Sequence, residues 1–184
     1  MKYIMRTCAG REDYCEYMQS HIPSLIVLKD EKKDPMGNFM RALEAAGDQA
    51  ALHLEDDAIL TENFVDKVEA VISKNPKRVV QFFSMRKDDV EVGTRIDKGK
   101  NFIAALCFYL PAKMSKGLRA YFPNWERLSE HPTGLDLTIA DFLHKTKQDY
   151  LIYCPNLADH RVGKSAIDSR RSSNRVSKTF INPA

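Results

Sequence analysis

Two periods of hydrophobicity alternate along this chain and divide it into strands and helices. Lys2 to Thr7, with Tyr3-Ile4-Met5 at its centre, predicts a first strand, and Ala9-Gly10-Arg11 a turn. Arg11 to Ser20 is helix-like and stops near Ile22-Pro23, because the residue before a proline avoids the helical region. Leu25-Ile26-Val27-Leu28 is a short apolar strand ending in Lys29-Asp30, and a charged loop, Glu31 to Asp34, leads to Pro35. Met36, Phe39, Met40 and Leu43 recur at helical spacing, and Gly47 closes that helix as a C-terminal cap. A strand from Ala50 runs into Glu55-Asp56-Asp57. Thr61 is placed to cap a helix whose Phe64, Val65, Val68, Val71 and Ile72 share one face, and Asn75-Pro76 ends it.

Arg78 to Met85 predicts another strand, whereas Arg86 to Asn101 has no apolar periodicity and reads as a hairpin or mobile loop. Ile103 to Leu110 is strand-like, and Pro111 suits the first turn of a following helix. A loop around His131-Pro132-Thr133-Gly134 precedes a helix marked by Leu135, Ile139, Phe142 and Leu143, and Tyr150 to Cys154 is the last clear strand. Strands alternating with helices predict an α/β fold, an αβα sandwich around a mostly parallel central sheet. Ligands in such folds bind at the carboxyl ends of the strands, where Thr7, Asp30 and Glu55-Asp56-Asp57 all fall.

Composition changes this picture little. At 184 residues the chain suits one domain with a full core, and a formal charge of +3 is too small to identify a partner. No apolar run has the length of a membrane span and no signal-peptide pattern opens the chain, so a cytoplasmic protein is expected. The four cysteines form no tight metal-ligand pair, and free thiols in a reducing compartment are the simpler reading. Cys107 and Cys154, inside apolar runs, are expected to be buried.

The stretch Leu52-His53-Leu54-Glu55-Asp56-Asp57-Ala58-Ile59-Leu60 carries the most chemistry. Three adjacent carboxylates at the end of an apolar strand repel one another and call for a counter-cation. A divalent metal carrying phosphate ligands answers that need, and a solvated acidic turn is the bland alternative. If the strand persists to residue 57, His53, Glu55 and Asp57 share one face and Leu52, Leu54 and Asp56 the other.

The helix Gly37-Asn38-Phe39-Met40-Arg41-Ala42-Leu43-Glu44-Ala45-Ala46-Gly47, followed by a strand ending in Glu55-Asp56-Asp57, resembles the nucleotide-sugar half of GT-A-type glycosyltransferases. "LHLEDDAIL" is similar to small bacterial lipopolysaccharide-type galactosyltransferases, whose motif reads Glu-Asp-Asp. "IAALCFYLPAKMSKGL" resembles that family's strand entering the acceptor half, and "YCPNLADHRVGKSAI" its strand, proline and histidine segment. The resemblance implies a GT-A-like, Rossmann-like domain over residues 1–167. Its nucleotide-sugar half would be 1–85 and its acceptor half 86–167, with a basic tail over 168–184. It also implies Mn2+ or Mg2+ on Asp57, with His160 as the distant metal ligand or a diphosphate contact and Glu55 or Asp56 near the ribose or in the metal's outer shell. Thr7, Arg11 and Asp30 would contact nucleotide base, ribose or phosphate, and Arg41 the sugar or diphosphate. The chain is short for that family, and its first motif carboxylate is Glu rather than Asp.

An inverting transfer needs a base for the acceptor hydroxyl. Asp136, in "HPTGLDLTIADFL", is the first candidate and Asp141 the second, although Asp in a first helical turn also stabilises the helix dipole with no catalytic role. Arg161, Lys164, Arg170, Arg171, Arg175 and Lys178 make the C-terminal stretch basic. Such a segment neutralises a diphosphate, tracks a nucleic-acid backbone or is simply solvated. Lys164 and Ser165 are the preferred phosphate contacts. Tyr121, Phe122 and Trp125 can stack on a sugar or base, but such residues are more often core. The sequence therefore predicts a metal-dependent glycosyltransferase using a uridine diphosphate sugar. Its acceptor would be a glycan or a hydroxymethylated base in DNA, as in phage DNA modification. The alternatives are a non-catalytic nucleic-acid-binding module and a nucleotidyltransferase.

Overall fold

A computed structural model describes residues 1–131, 133–163 and 175–182. Strand β1 (Lys2–Cys8), helix α1 (Glu12–His21), β2 (Leu25–Asp30), α2 (Pro35–Ala46) and β3 (Ala51–Glu55) follow the predicted order. Next come β4 (Ala58–Leu60), α3 (Phe64–Lys74), β5 (Val79–Gln81), α4 (Asp89–Val92) and β6 (Arg95–Lys98). The chain continues through β7 (Cys107–Leu110), α5 (Met114–Tyr121), α6 (Leu135–Lys145), β8 (Asp149–Ile152) and β9 (Ala158–His160).

Seven strands form a mixed central sheet in the order β2-β1-β3-β7-β5-β8-β6. Five run one way, and β7 and β6 run against them. Helices flank the sheet on both faces because strand side chains alternate. Ile4, Ala51, Val79, Phe108, Leu110, Tyr150 and Ile152 pack under α2, α5 and α6. Their neighbours Tyr3, Met5, Leu52, Leu54, Val80, Tyr109 and Leu151 pack with Met18 and Ile22 on the α1 side and with Phe64, Val68 and Val71 of α3. Each large side chain so buried contributes about 1.5–3 kcal/mol, and the two cores fix how β1, β2 and β3 line up their carboxyl ends.

Several expectations change. The carboxylate strand stops at Glu55, and Asp56 and Asp57 form a turn into β4. The strand over 78–85 narrows to β5, and that over 103–110 to β7. Ala104 has φ +67 and breaks the latter run, a conformation unfavourable for a residue with a Cβ. Gln81 donates from Nε2 to the carbonyls of Ile103 and Ala104 and holds that break. The 86–101 stretch contains α4 and the edge strand β6 rather than an irregular loop. Polar contacts order it: Arg95 pairs with the fully buried Asp89 at 2.7 Å, and Arg86 pairs with Asp97 and donates to the Tyr150 hydroxyl at 2.8 Å. Thr61 does not cap α3; Asn63, at φ 52, stands at that N-cap. Pro111 lies before α5 rather than in its first turn, with Lys113 at the N-cap. Gly47 does close α2, at φ 61, with its N–H on the Leu43 carbonyl. Among the described residues no helix is long and apolar enough to cross a membrane.

Candidate functional site

The carboxyl ends of β1, β2 and β3 open into a cleft of about 580 Å³, whose lining includes Thr7, Cys8, Arg11, Asp30, Glu55, Asp56, Asp57 and His160. Asp136, Arg6, Asn38 and Arg175 also line it, with Phe83, Met85, Ile103 and Leu135 as apolar wall. Its acidic centre depends on a small second sheet in which β4 and β9 pair antiparallel, Ala58 opposite His160. The Arg161 N–H donates to the Asp57 carbonyl at 2.9 Å and locks that register. By this pairing the turn after β3 meets the last strand among the described residues, and His160 Nε2 comes to 3.2 Å from Asp57 Oδ2.

The tautomer of His160 follows from its other nitrogen. Nδ1 lies 2.6 Å from the Arg161 carbonyl, which can only accept, so Nδ1 carries the proton and Nε2 faces Asp57. Nε2 and Asp57 Oδ1 are buried without a hydrogen-bond partner; the 3.2 Å separation is ion-pair range but not aligned for a hydrogen bond. Nε2 and Oδ2 at 3.2 Å would present lone pairs to each other unless a proton or cation stands between them. Burial opposes the charge on both residues, but the carboxylate lifts His160 above its ordinary pKa. Conversely His160, Arg11 and Arg175 outweigh burial and hold Asp57 below the usual carboxylate range.

The other carboxyls move the opposite way. Burial raises Asp56, aided by repulsion from Asp57, against the Thr7 hydrogen bond and Arg11. Burial raises Glu55 too, opposed by Arg6 and reinforced by Asp57 and Asp56. The Thr7 hydroxyl donates to Asp56 Oδ2 at 2.7 Å, and Arg11 lies 3.5 Å from Asp56 Oδ1. Asp56 thereby clamps the end of β1 to the start of α1. Asp30 accepts from the Lys32 N–H at 3.0 Å.

Asp136 enters the cleft from α6. Its Oδ2 accepts from the Ala104 N–H at 3.3 Å and Oδ1 from the Leu137 N–H at 3.1 Å. Asp141 is not among the cleft residues; it bonds to the Tyr121 hydroxyl and lies 3.4 Å from Lys145. Arg41 also misses the cleft, donating to the Lys29 carbonyl and Asn38 Oδ1 beside a separate small hollow. Trp125 and Phe122 are buried in the core. Lys164 and Ser165 lie outside the described residues. Cys107 is buried, but Cys154 is only partly so; all four thiols are unpaired.

Three cleft residues escaped the motif reading or were placed only generically. Arg6 is a charge inside an apolar strand, 7% exposed, which was its only sequence signal. Asn38, 3% exposed, interrupts the apolar face of α2 and donates to the carbonyls of Thr7 and Leu28, tying β1 to β2. Arg175 returns to the cleft because the segment after it is anchored. The Ser177 N–H donates to Asp159 at 2.7 Å, the Ser177 hydroxyl to Asn156 at 2.8 Å, and the Asn156 N–H to Thr179 at 3.0 Å.

Among the described residues no three His, Cys, Asp or Glu side chains converge into a complete metal cage. Asp57 and His160 are the two residues that could hold a metal here, and its remaining ligands would have to come from outside the protein. No family model matches the chain, and no curated protein does. Among solved structures, the whole chain aligns with 98% of the crystal structure of A197 from STIV, at 14% identity and a TM-score of 0.52. That likeness is one of fold. It agrees with a mixed α/β sheet flanked by helices, compatible with a Rossmann-like arrangement.

Proposed function

We propose that the protein is a metal-dependent glycosyltransferase acting on a nucleoside diphosphate sugar, with uridine diphosphate as carrier and a hydroxyl of a glycan or of a hydroxymethylated DNA base as acceptor. One observation carries the reading: Asp57 and His160, from distant parts of the chain, meet at the carboxyl-end cleft with Nε2 3.2 Å from Oδ2, while Nε2 and the other carboxylate oxygen, Oδ1, are buried without hydrogen-bond partners. A bound Mn2+ or Mg2+ would supply Lewis-acid stabilisation of the charge that develops on the departing diphosphate. Asp57, held ionised, and His160, its tautomer set by the Arg161 carbonyl, are the residues to hold it.

Arg175 contributes a positive charge on the same side of the cleft for the phosphates. Thr7 and Arg11, held by Asp56, and Asp30 line the end assigned to the nucleoside. Asp136 is the cleft carboxylate available as base for an inverting transfer. Each of its oxygens accepts one backbone N–H and keeps a lone pair for the acceptor hydroxyl. Phe83, Met85, Ile103 and Leu135 keep one wall dry, which disfavours hydrolysis of the donor.

Thermal shift and calorimetric titration with UDP, UDP-glucose, UDP-galactose, GDP and CDP, with and without Mn2+, test this on wild type and Asp57→Ala. The expected result is metal-dependent stabilisation by one nucleotide, lost in Asp57→Ala with the fold retained. No stabilisation by any nucleotide, together with salt-sensitive DNA binding that survives Asp57→Ala, would replace the enzyme with a nucleic-acid-binding module. With a nucleoside triphosphate and a sugar phosphate supplied instead, release of pyrophosphate as the sugar phosphate takes the nucleotidyl group would make it a nucleotidyltransferase.

A further inference from the structure

The end of β3 presents different chemistry on its two sides. Asp56 turns toward Thr7 and Arg11, whereas Glu55 lies beside Arg6, its register partner on β1. Arg6 Nη2 donates to Glu55 Oε1 at 3.2 Å and to the Ala105 carbonyl at 3.1 Å, and the guanidinium lies 5.3 Å from the centre of the Phe39 ring. Arg6 is more than nine-tenths buried, and its Nε has no hydrogen-bond partner. The pair is not sealed: the Glu55 side chain is 35% exposed, and both residues line the cleft.

A half-buried ion pair with an unsatisfied donor is a poor device for stability, because desolvation offsets most of the attraction. The strand ends it joins are already tied by Asn38 between β1 and β2 and by Thr7 with Asp56. What the pair does offer is a rigid donor beside a rigid acceptor, the combination that adjacent sugar hydroxyls require, since each hydroxyl both donates and accepts. Asp136 closes the same cleft from α6.

We infer that Arg6 and Glu55 form the subsite for the hydroxyls of the donor's sugar, and that this subsite selects an uncharged sugar over a uronate. The inference rests on the glycosyltransferase reading. The reason is charge: among the described residues the cleft cations already face carboxylates, Arg6 with Glu55, Arg11 with Asp56, and Arg175 with Asp57, while Asp30 and Asp136 add two further acids to the lining. A sugar carboxylate beside Glu55 would meet a lining in which acids outnumber cations among the described residues, whereas neutral hydroxyls satisfy both partners. The nucleoside end, around Thr7, Arg11 and Asp30, is separate from this pair, so the two contributions to donor binding can be measured apart.

The test is calorimetry with Mn2+ on wild type and Glu55→Gln, using UDP, UDP-glucose, UDP-galactose, UDP-N-acetylglucosamine, UDP-xylose, UDP-glucuronate and UDP-galacturonate. Melting curves confirm that the isosteric variant is folded. Wild type is expected to bind at least one neutral UDP-sugar about tenfold or more tighter than either uronate. In Glu55→Gln the affinity for UDP alone should stay within about twofold, while that for the neutral sugar falls about tenfold and the discrimination against uronates narrows. Equal losses for UDP and UDP-sugar, unchanged discrimination, or a uronate bound as tightly as the neutral sugars by wild type would each overturn the subsite but leave the glycosyltransferase reading standing. Failure of wild type to bind any nucleotide would remove both.

Discussion

His53 sits at the centre of β3 with no exposure to solvent, stacked on Phe108 at 5.2 Å and edge-on to Phe39 at 6.0 Å, and neither ring nitrogen has a hydrogen-bond partner. Burial, reinforced by the nearby Arg6 charge, lowers its pKa from 6.5 to about 3. Between those values the unfolded chain binds a proton that the folded chain refuses, so stability rises with pH across that window. It is correspondingly lost as pH falls from about 6.5 toward about 3, by up to about 1.4 kcal/mol per pH unit. At about two units below the unfolded value the loss is roughly 2–3 kcal/mol, a large part of a typical domain's stability. His53→Phe keeps an aromatic ring at the position and removes the titration. Urea unfolding of both proteins near neutral pH and at about pH 4.5 isolates the effect, since carboxylate titrations common to both cancel in the difference. The gap between variant and wild type should shift in favour of His53→Phe by roughly 2–3 kcal/mol on acidification, whatever constant offset the larger ring introduces. A gap that does not change with pH would refute a neutral, proton-refusing His53.

Gly99 leads the short turn between β6 and the cleft wall, and a Cβ there would collide with the Gln148 carbonyl and with Leu143 of α6. Gly99→Ala should therefore cost about 1–3 kcal/mol in denaturant unfolding, and a neutral result would mean that this edge yields easily. Cys107 is fully buried, and burial raises its thiol pKa. In the native protein it should resist an aqueous thiol reagent and react only on unfolding. Fast native labelling mapped to Cys107 would show that β7 opens readily.

Local pattern was enough to locate the main strands, the helices and the acidic motif. Alternation within β1, β3 and β8, and the helical spacing of Met36, Phe39 and Leu43 or of Phe64, Val68 and Val71, identified the buried faces, because these periods are properties of the isolated element. Polar residues also had to occur at strand ends for Thr7, Asp30 and Glu55 to line one cleft. Where order came from polar contacts, the apolar pattern was silent. Residues 86–101 carry no apolar period because Arg86 with Asp97 and Arg95 with Asp89 organise that edge.

Which side chains meet depends on how the elements pack. Asp136 reaches the cleft and Asp141, five positions on along the same helix, does not, since that displacement turns it toward Tyr121 and Lys145. Arg6 becomes a cleft residue only because β1 lies beside β3 in a register that sets it opposite Glu55. The three-residue strands β4 and β9 are too short to announce themselves, yet their pairing alone brings His160 to Asp57. Strand pairing between distant segments depends on backbone hydrogen bonds, which every residue can accept and every residue but proline can donate, so it leaves no periodic trace in side-chain pattern.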